Sequence, residues 1–423
     1  MKSIEKTVRY IDRISSPFLD FTLRFLSNRK NLDSLIKLFE DLHLKKLRPP
    51  YKFLIVPDIN IGDALNHQPF VQILKKNLPQ SEIHYIYKKK AFPLIQANPY
   101  IDVHHPLFET SGIPSSKDLN MLRKVIIRNN YDVVFNFCPY MPFSALKYRK
   151  TAVISPIRLM ASVIRGLESG NQKAHLGFQL NQFAREIIHR INSTNLNESP
   201  NEKEICKHRI YTRHDLYLRA EKTAQKLGIH SDKKTVFLNP DSSSPFTLIP
   251  IPIQVEIMKA VLSMPQVGQV LMNKGLSYRS IENNILDQLP SDLRNKITIL
   301  SMKIPLDIYA ALTDKADVFI SADTGPMHIS AAEKVISDSK QKFRNQTSVI
   351  GIFGATPSKL YGYDSFSDEH LDTSQNAPAK SFEGNPLCKN ITCVDKAFKK
   401  CSPIRCFEGL NVQEIVGYIQ SLF

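Results

Sequence analysis

Residues 317–332 read DVFISADTGPMHISAA, a short apolar segment that runs through an Asp-Thr-Gly-Pro turn into the segment MHISAA. The apolar segment predicts a buried strand, and the pattern behind the turn predicts a helix. Gly325 lets the backbone approach a ligand closely, and Pro326 suits the first turn of a helix. Strands that alternate with helices form parallel sheets, in which ligands bind beyond the carboxyl ends of the strands. The stretch therefore predicts an α/β fold with a binding site at the end of this strand.

The same alternation recurs along the chain of 423 residues, a length that suggests two domains. Helical patterns cover Pro69–Asn77 and Asp215–Leu227, and the polar stretch Asn192–Lys207 has the composition of a linker. We therefore predict two doubly wound domains, at 51–200 and 208–423, with a cleft between them. The other predicted strands are Phe53–Val56, Glu82–Tyr87, Asp132–Phe137, Thr235–Asn239, Gln269–Met272, Thr298–Leu300 and Ser348–Phe353.

Residues 1–50 precede the first predicted strand, and their apolar residues recur at helical spacing. Basic residues outnumber acidic ones there, which leaves two interpretations: a helical pair docked on the main body, or a basic extension that lies on an anionic membrane. No apolar run reaches the roughly 18 residues of a membrane-spanning helix. The N-terminus also lacks the apolar core of a signal peptide. The sequence therefore predicts a cytoplasmic protein.

The formal net charge is +16, which indicates an anionic partner: nucleic acid, an acidic membrane face or a phosphorylated small molecule. Nucleic acid is disfavoured, because the chain has neither a helix-turn-helix signature nor an aromatic-basic stacking motif. The G-x-G-x-x-G and G-x-x-x-x-G-K-[ST] motifs are also missing, which disfavours dehydrogenases and P-loop enzymes.

The first predicted strand is followed by the loop PDINIGDA at 57–64. Gly62 permits a tight turn there, and Asn60 belongs to the same loop. Asp63 has two interpretations. It is either a general base at the mouth of the cleft or an ordinary helix N-cap, for which Asp is a preferred residue.

The turn behind residue 321 brings four candidate ligand-binding residues together: Asp323, Thr324, Gly325 and His328. Asp323 and Thr324 can cap the predicted helix, whose first N–H groups would face a diphosphate. Asp323 could also accept hydrogen bonds from sugar hydroxyls. His328 lies one turn into the helix, where it either faces the same ligand or is an ordinary histidine with satisfied nitrogens.

Two further loops follow predicted strands. NPDSSSP at 239–245 carries Ser242 and Ser243, which either present hydroxyl and N–H groups to an anion or belong to a plain surface loop. GATPS at 354–358 carries Thr356 and is another entry from a glycine turn into a helix. This second loop fits a neighbouring wall of the pocket behind residue 321.

Four cysteines near the C-terminus form a C-x4-C-x7-C-x4-C array, which suits a tetrahedral metal site. Its spacing is looser than that of common zinc knuckles, so a structural zinc or iron site stands beside free thiols or two disulfides as alternatives. The array consists of Cys388, Cys393, Cys401 and Cys406.

Taken in order, these segments resemble glycosyltransferase family 9, the heptosyltransferase family of bacterial lipopolysaccharide core assembly. FLIVPDINIGDA resembles the family's first strand and Gly-Asp loop, and LPQSEIHYIY with QANPYIDV resembles its second βαβ unit. FLNPDSSSP resembles its donor-side loop, SADTGPMHISAA its D-[ST]-G-x-x-H-x-A-A signature, and GIFGATPS the loop that follows. The resemblance runs from about residue 52 to near the C-terminus.

The resemblance implies a GT-B fold, in which two Rossmann-like domains face each other across a cleft. It also implies an inverting glycosyltransferase that needs no metal or cofactor and moves a sugar, typically heptose from ADP-heptose, to a glycolipid or saccharide acceptor. Asp63 matches the acceptor-side base, with Asn60 and Gly62 in its loop. The donor-side positions match Asp323, Thr324, Gly325, His328, Ser242, Ser243 and Thr356.

Such an enzyme would be cytoplasmic and peripheral at the anionic inner membrane, which would account for the net charge. Two departures from the family pattern motivate a second hypothesis, a non-catalytic nucleotide-sugar or saccharide-binding protein on the same fold. Residues 246–249 read FTLI where the family usually has a Lys or Arg, and residues 272–275 read MNKG where it often has a Gly pair. A basic nucleic-acid-binding protein is a third hypothesis, which rests on charge alone.

Overall fold

The computed structural model describes residues 43–57, 60–108, 115–138, 141, 143–146, 148, 151–155, 176–192, 208–229, 232–275, 280–300, 304–337, 347–363, 379–384 and 405–423. The chain divides into two compact units. The N-terminal unit comprises Met1–Phe92, Pro99–Arg165 and Gln179–Pro200, and the C-terminal unit comprises Pro93–Asn98, Gly166–Phe178 and Asn201–Phe423. Most of the predicted N-terminal extension and of the predicted linker lies outside the described residues.

The N-terminal unit is built on a five-stranded parallel sheet. Its strands are β1 (Tyr51–Val56), β2 (Ser81–Lys88), β3 (Val103–Phe108), β4 (Val133–Asn136) and β5 (Ala152–Ile154), in the order β3-β2-β1-β4-β5. The helices up to residue 192 are α1 (Ile61–Asn66), α2 (Gln68–Asn77), α3 (Phe92–Ile95), α4 (Ser116–Asn129), α5 (Phe143–Leu146) and α6 (Leu176–Asn192), with a 3-10 turn at Lys89–Ala91.

Strand β1 lies at the centre of this sheet. Its residues Phe53, Leu54, Ile55 and Val56 are all buried, as expected for a strand whose two faces are both covered. Leu54 stands in register with His84 of β2 on one side and with Val134 of β4 on the other. The carboxyl ends of β1, β2 and β4 therefore share one edge of the sheet.

The C-terminal unit contains a six-stranded and a two-stranded parallel sheet. The strands are β6 (Arg209–Thr212), β7 (Lys234–Asn239), β8 (Val267–Asn273), β9 (Ile297–Leu300), β10 (Val318–Ala322), β11 (Glu333–Ile336), β12 (Ser348–Phe353) and β13 (Ala379–Glu383). The large sheet has the order β13-β12-β10-β7-β8-β9, and β11 pairs with β6. The helices are α7 (His214–Lys226), α8 (Ile251–Ser263), α9 (Ile281–Asp287), α10 (Ser291–Arg294), α11 (Leu306–Thr313), α12 (Gly325–Ala331), α13 (Ser358–Tyr361) and α14 (Val412–Ser421).

The main core of the C-terminal unit lies between the large sheet and helices α8 and α14. Met258 and Val261 of α8 are fully buried, as are Ile415 and Ile419 of α14, and all four belong to one apolar cluster with the sheet. In both helices the buried residues recur at helical spacing, so each helix packs one apolar stripe into the core.

All eight predicted strands are present, with ends within two residues of the predicted ones. The predicted fold class, α/β with two Rossmann-like domains, is confirmed. The strands that the sequence did not reveal are β3, β5, β6, β11 and β13. Within the described parts of the chain, we find no helix with the length and apolar character needed to cross a bilayer.

Candidate functional site

Helix α1 begins at Ile61, just beyond β1, with Asn60 at its N-cap position in an extended conformation. The Asn60 carbonyl oxygen accepts a hydrogen bond from the Ala64 N–H at 3.0 Å. Asp63 is therefore the third residue of the helix, and its interpretation as the N-cap is wrong, because the extended backbone that a cap requires belongs to Asn60. The tight turn expected at Gly62 is also wrong, since Gly62 is buried inside the first helical turn.

Asp63 is partly exposed beyond the carboxyl end of β1. Its carbonyl oxygen accepts hydrogen bonds from the backbone N–H of His67 at 3.1 Å and from the His67 Nδ1 at 2.5 Å. His67 is buried against the ring of Phe137, and burial lowers its pKa to about 4, so the imidazole stays neutral at pH 7. A neutral His67 fixes the backbone of Asp63 and leaves its carboxylate as the negative group of this turn.

A small pocket opens beside α1 where β1, β2 and β3 end. Tyr87 lines it, and the buried Tyr87 hydroxyl has no hydrogen-bond partner among the described residues. Lys88, only 7% exposed, contributes the positive side chain of the lining. The other lining residues are Pro57, Asn60, Ala64, Ile86, Ala91 and Phe108. The unsatisfied phenol gives this pocket the capacity to bind a polar substituent.

In the C-terminal unit, a polar network ties the ends of three strands together. Asn239, the last residue of β7, donates from Nδ2 to the Ser321 Oγ at 3.0 Å and to the Thr324 Oγ1 at 3.1 Å. Asn273, the last residue of β8, donates from Nδ2 to the Asn239 Oδ1 at 2.9 Å and to the Tyr309 hydroxyl at 2.8 Å. The network holds the turn after β10 in a fixed position relative to its neighbours.

Helix α12 begins at Gly325, with Thr324 at the N-cap position and Pro326 in the first turn. The expected side-chain cap is wrong: the Thr324 hydroxyl is instead engaged by Asn239 and Ser321, because the strand-end network competes for it. The Thr324 carbonyl oxygen accepts from the N–H groups of Met327 at 3.0 Å and of His328 at 3.3 Å. Since proline has no N–H, the donors left for a phosphate lie before Pro326.

Asp323 and His328 lie close together, as the motif predicts, and a tyrosine joins them. The His328 Nε2 is 3.2 Å from the Asp323 Oδ1, and its Nδ1 is 2.7 Å from the Tyr363 hydroxyl. His328 is 4% exposed, and the side chain of Asp323 is 11% exposed. Both ring nitrogens of His328 therefore have partners within the protein. This agrees with the interpretation of His328 as an ordinary histidine with satisfied nitrogens.

The serine loop and the glycine-turn loop are both described. The buried Ser242 hydroxyl lies 2.5 Å from the Thr247 Oγ1, so it closes its own loop, whereas Ser243 is exposed. Thr356 is 8% exposed, and its hydroxyl has no hydrogen-bond partner among the described residues. Of the predicted hydroxyls, that of Ser243 is therefore on an exposed residue and that of Thr356 is buried with its hydrogen-bonding capacity unused among the described residues; the donor-binding role of both stays a prediction.

The cysteine array falls mostly outside the described residues. Only Cys406 of the four is described, and it is buried. In the described segments, no group of three or more His, Cys, Asp or Glu side chains is arranged to hold a metal ion. The structural zinc or iron site stays a prediction.

Five residues of the C-terminal site are not among the predicted site residues: Asn239, Asn273, Ser321, Tyr309 and Tyr363. Three of them carry a recognisable signal, because VFLN, VLMN and VFIS are apolar runs that end in a polar residue at the edge where ligands bind. Tyr309 and Tyr363 carry no such signal, since only the fold brings them to the strand ends.

Comparison with known proteins identifies related sequences. The family model described as "Glycosyltransferase family 9 (heptosyltransferase)" matches residues 207–387, which include every predicted donor-side residue. Lipopolysaccharide heptosyltransferase 1 of Campylobacter coli is 22% identical over 342 residues, which cover 77% of this chain and 90% of the relative. Lipopolysaccharide heptosyltransferase 3 of Escherichia coli K12 is 24% identical over 300 residues, which cover 70% of this chain and 80% of the relative.

A solved structure shows the same fold. The crystal structure of the glycosyl transferase family 9 protein from Veillonella parvula matches with a TM-score of 0.60 at 14% identity, over 88% of this chain and 97% of that chain. The likeness covers both units, which supports the two Rossmann-like domains predicted from the sequence.

Proposed function

Because the chain belongs to glycosyltransferase family 9 and is a glycosyltransferase, we propose that it transfers heptose from ADP-heptose to a lipopolysaccharide core or related glycan acceptor. The transfer inverts the anomeric carbon and needs no metal ion. The observation that carries the proposal is the Asp323–His328 pair at the carboxyl end of β10, held by a network inside the region that the family model matches.

Asp63 is the general base in this proposal. Its partly exposed carboxylate takes the proton of an acceptor hydroxyl while that oxygen attacks the anomeric carbon of the donor. The new glycosidic C–O bond forms as the bond between the anomeric carbon and the diphosphate breaks, and ADP leaves with the electron pair. The bond from His67 to the Asp63 carbonyl supports this role, because it fixes the backbone that carries the base.

The donor binds at the end of β10. Asp323 accepts hydrogen bonds from sugar hydroxyls, and the N–H groups around Thr324 and Gly325 stabilise the charge that develops on the diphosphate. Ser243 and Thr356 add hydroxyl donors, and Ser242 shapes the loop that presents Ser243. The net charge of +16 supports peripheral association with an anionic membrane face, where a glycolipid acceptor is found.

The test is transfer from ADP-heptose to a heptose-deficient lipopolysaccharide, followed by mass spectrometry of the acceptor. For Asp63→Asn, we expect turnover to fall about a hundredfold or more, because the amide cannot take the proton. ADP affinity and melting temperature should stay unchanged. The matched control is Asp215→Asn, which removes an exposed carboxylate on α7 and should leave turnover at the wild-type level.

Two outcomes would contradict the proposal. Wild-type turnover in Asp63→Asn would remove Asp63 as the base while leaving the reaction itself intact. A wild-type protein that binds ADP but forms no product with ADP-heptose would overturn the proposed donor.

A further inference from the structure

We propose that Tyr363 is a positioning residue: through the imidazole of His328 it holds the Asp323 carboxylate in the orientation that receives the donor sugar. The role of Asp323 in binding the donor sugar rests on the proposed function, whereas the arrangement of the three side chains does not. No motif in the sequence points to Tyr363, which lies two residues beyond α13.

The three groups form one continuous chain of contacts. The Tyr363 hydroxyl lies 2.7 Å from His328 Nδ1, and His328 Nε2 lies 3.2 Å from Asp323 Oδ1. The rings of Tyr361 and Tyr363 meet the imidazole nearly edge to face, with centroids 6.4 Å and 5.8 Å away. Tyr363 is itself buried and packs edge to face on His208. The imidazole is therefore enclosed and cannot turn without displacing its neighbours.

The position of the protons follows from the surroundings. Burial raises the pKa of Tyr363 well above its ordinary value, and the negative field of Asp323 raises it further, so the phenol keeps its hydrogen. On the other side of the ring, the ionised Asp323 can only accept a hydrogen bond, so His328 Nε2 faces it as the donor and the phenol donates to Nδ1. In a neutral imidazole the single hydrogen is consequently on Nε2, from where it donates to Asp323 Oδ1.

Removal of the phenol hydroxyl would release this constraint. Nδ1 would lose its donor, and the tautomer with hydrogen on Nδ1 would become accessible. In that tautomer the Nε2 lone pair faces the carboxylate, which repels it. Tyr363 therefore selects the only neutral tautomer that anchors Asp323.

The hydrogen bond from His328 leaves the Asp323 carboxylate able to bind a ligand. A carboxylate accepts hydrogen bonds on both oxygens, so Oδ1 can be held by His328 while Oδ2 receives sugar hydroxyls. His328 has no nitrogen left for a ligand in this arrangement. Its part in the site is therefore to orient Asp323, and the recognition of the sugar belongs to Asp323.

The test compares Tyr363→Phe with Tyr361→Phe, which removes the same atom from the other ring beside the imidazole. The first readout is the long-range 15N–1H spectrum of the imidazole, assigned through the signals lost in His328→Gln. In the wild type and in Tyr361→Phe we expect a protonated Nε2 and an unprotonated Nδ1. In Tyr363→Phe we expect the two nitrogen shifts to move towards each other as the tautomers mix.

The second readout is kinetic. Since Asp323 would lose its anchor, we expect KM for ADP-heptose to rise roughly tenfold in Tyr363→Phe and to stay unchanged in Tyr361→Phe. If Tyr363→Phe does not fold, two replacements of the imidazole take its place. His328→Gln, whose amide can still donate to Asp323, should keep a KM nearer to the wild-type value than His328→Leu.

Several outcomes would overturn the inference. A wild-type His328 that carries its hydrogen on Nδ1, or on both nitrogens, contradicts the proton arrangement. A raised KM in Tyr363→Phe with unchanged nitrogen shifts would indicate a packing effect instead. If the wild type does not use ADP-heptose, the proposed function fails, yet the nitrogen shifts still decide whether Tyr363 sets the tautomer.

Discussion

Tyr85 and Tyr87 lie two residues apart on the same face of β2, and both are buried. They differ in what their hydroxyls meet. The Tyr85 hydroxyl donates to the carbonyl oxygen of Ala64 at 3.0 Å, whereas that of Tyr87 has no partner among the described residues. A buried hydroxyl without a partner costs about 1–3 kcal/mol of stability. The Tyr85 hydroxyl therefore stabilises the fold, whereas the Tyr87 hydroxyl destabilises it.

We expect Tyr87→Phe to raise the free energy of unfolding by about 1 kcal/mol, because it removes an unsatisfied polar atom from the pocket lining. Tyr85→Phe should lower it by about 1 kcal/mol, since it deletes a hydrogen bond. The two variants remove the same atom from the same strand face, and each is the control for the other. Urea unfolding at constant pH measures both. Equal losses of stability would mean that a water molecule satisfies the Tyr87 hydroxyl.

The residues of the candidate site were predictable to different degrees. Asp323 and His328 are five residues apart, so a strand-turn-helix unit alone brings them together, as the pattern predicted. Asn239 and Asn273 could have been found as polar residues at the ends of apolar strands. Tyr363 could not, because its contact with His328 depends on how two separate strand-helix units pack.

Among the strands, the content of apolar residues decided which ones could be predicted from the sequence. Strands β1 and β10 are rich in apolar residues because they lie inside their sheets and are buried on both faces. Strand β3 reads VHHPLF, with a proline, and lies at a sheet edge, where proline is tolerated. Strands β6 (RIYT) and β11 (EKVI) carry charges that hide their pattern.

Those charges are satisfied inside the fold. Arg209 of β6 and Glu333 of β11 stand opposite each other in register, with Nε and Oε2 2.7 Å apart and both side chains about nine-tenths buried or more. The next residue, Lys334, is fully buried, and its Nζ lies 2.6 Å from the Asp314 Oδ1 and donates to the Ser330 carbonyl oxygen at 2.8 Å. A sequence pattern cannot show which charges will find a buried partner.

The buried Lys334–Asp314 ion pair allows a prediction about stability. We expect Lys334→Met to lower the free energy of unfolding by about 3–5 kcal/mol, because it leaves Asp314 buried without its cation. The double variant Lys334→Met with Asp314→Leu should recover most of that loss, since no charge is then buried. Chemical unfolding of the two single variants and the double variant measures the coupling. Simple addition of the two single losses would contradict a direct interaction.

On the scale of the whole molecule, several histidines of the N-terminal unit respond to acid in the same way. Burial is the largest cause of lowered pKa values at His67, His84, His104 and His105, all in the N-terminal unit. A histidine with a lowered pKa binds its proton at higher pH when unfolded than when folded. Each one therefore lowers stability as the pH falls below the ordinary histidine pKa of about 6.5. The protons also add charge to a chain that already carries +16.

We expect the N-terminal unit to lose stability before the C-terminal unit as the pH falls from 7 to 5. His67, whose pKa falls from 6.5 to about 4, contributes about 2 kcal/mol of that loss at pH 5. Hydrogen exchange read by mass spectrometry, corrected for intrinsic rates, follows each unit separately.

The variant His67→Gln keeps a donor for the Asp63 carbonyl and removes the titrating group. It should therefore flatten the pH dependence of hydrogen-exchange protection in β1 and β4. His214→Gln, exposed on α7, should not. Equal loss of protection in both units, or an unchanged slope in His67→Gln, would contradict the assignment to His67.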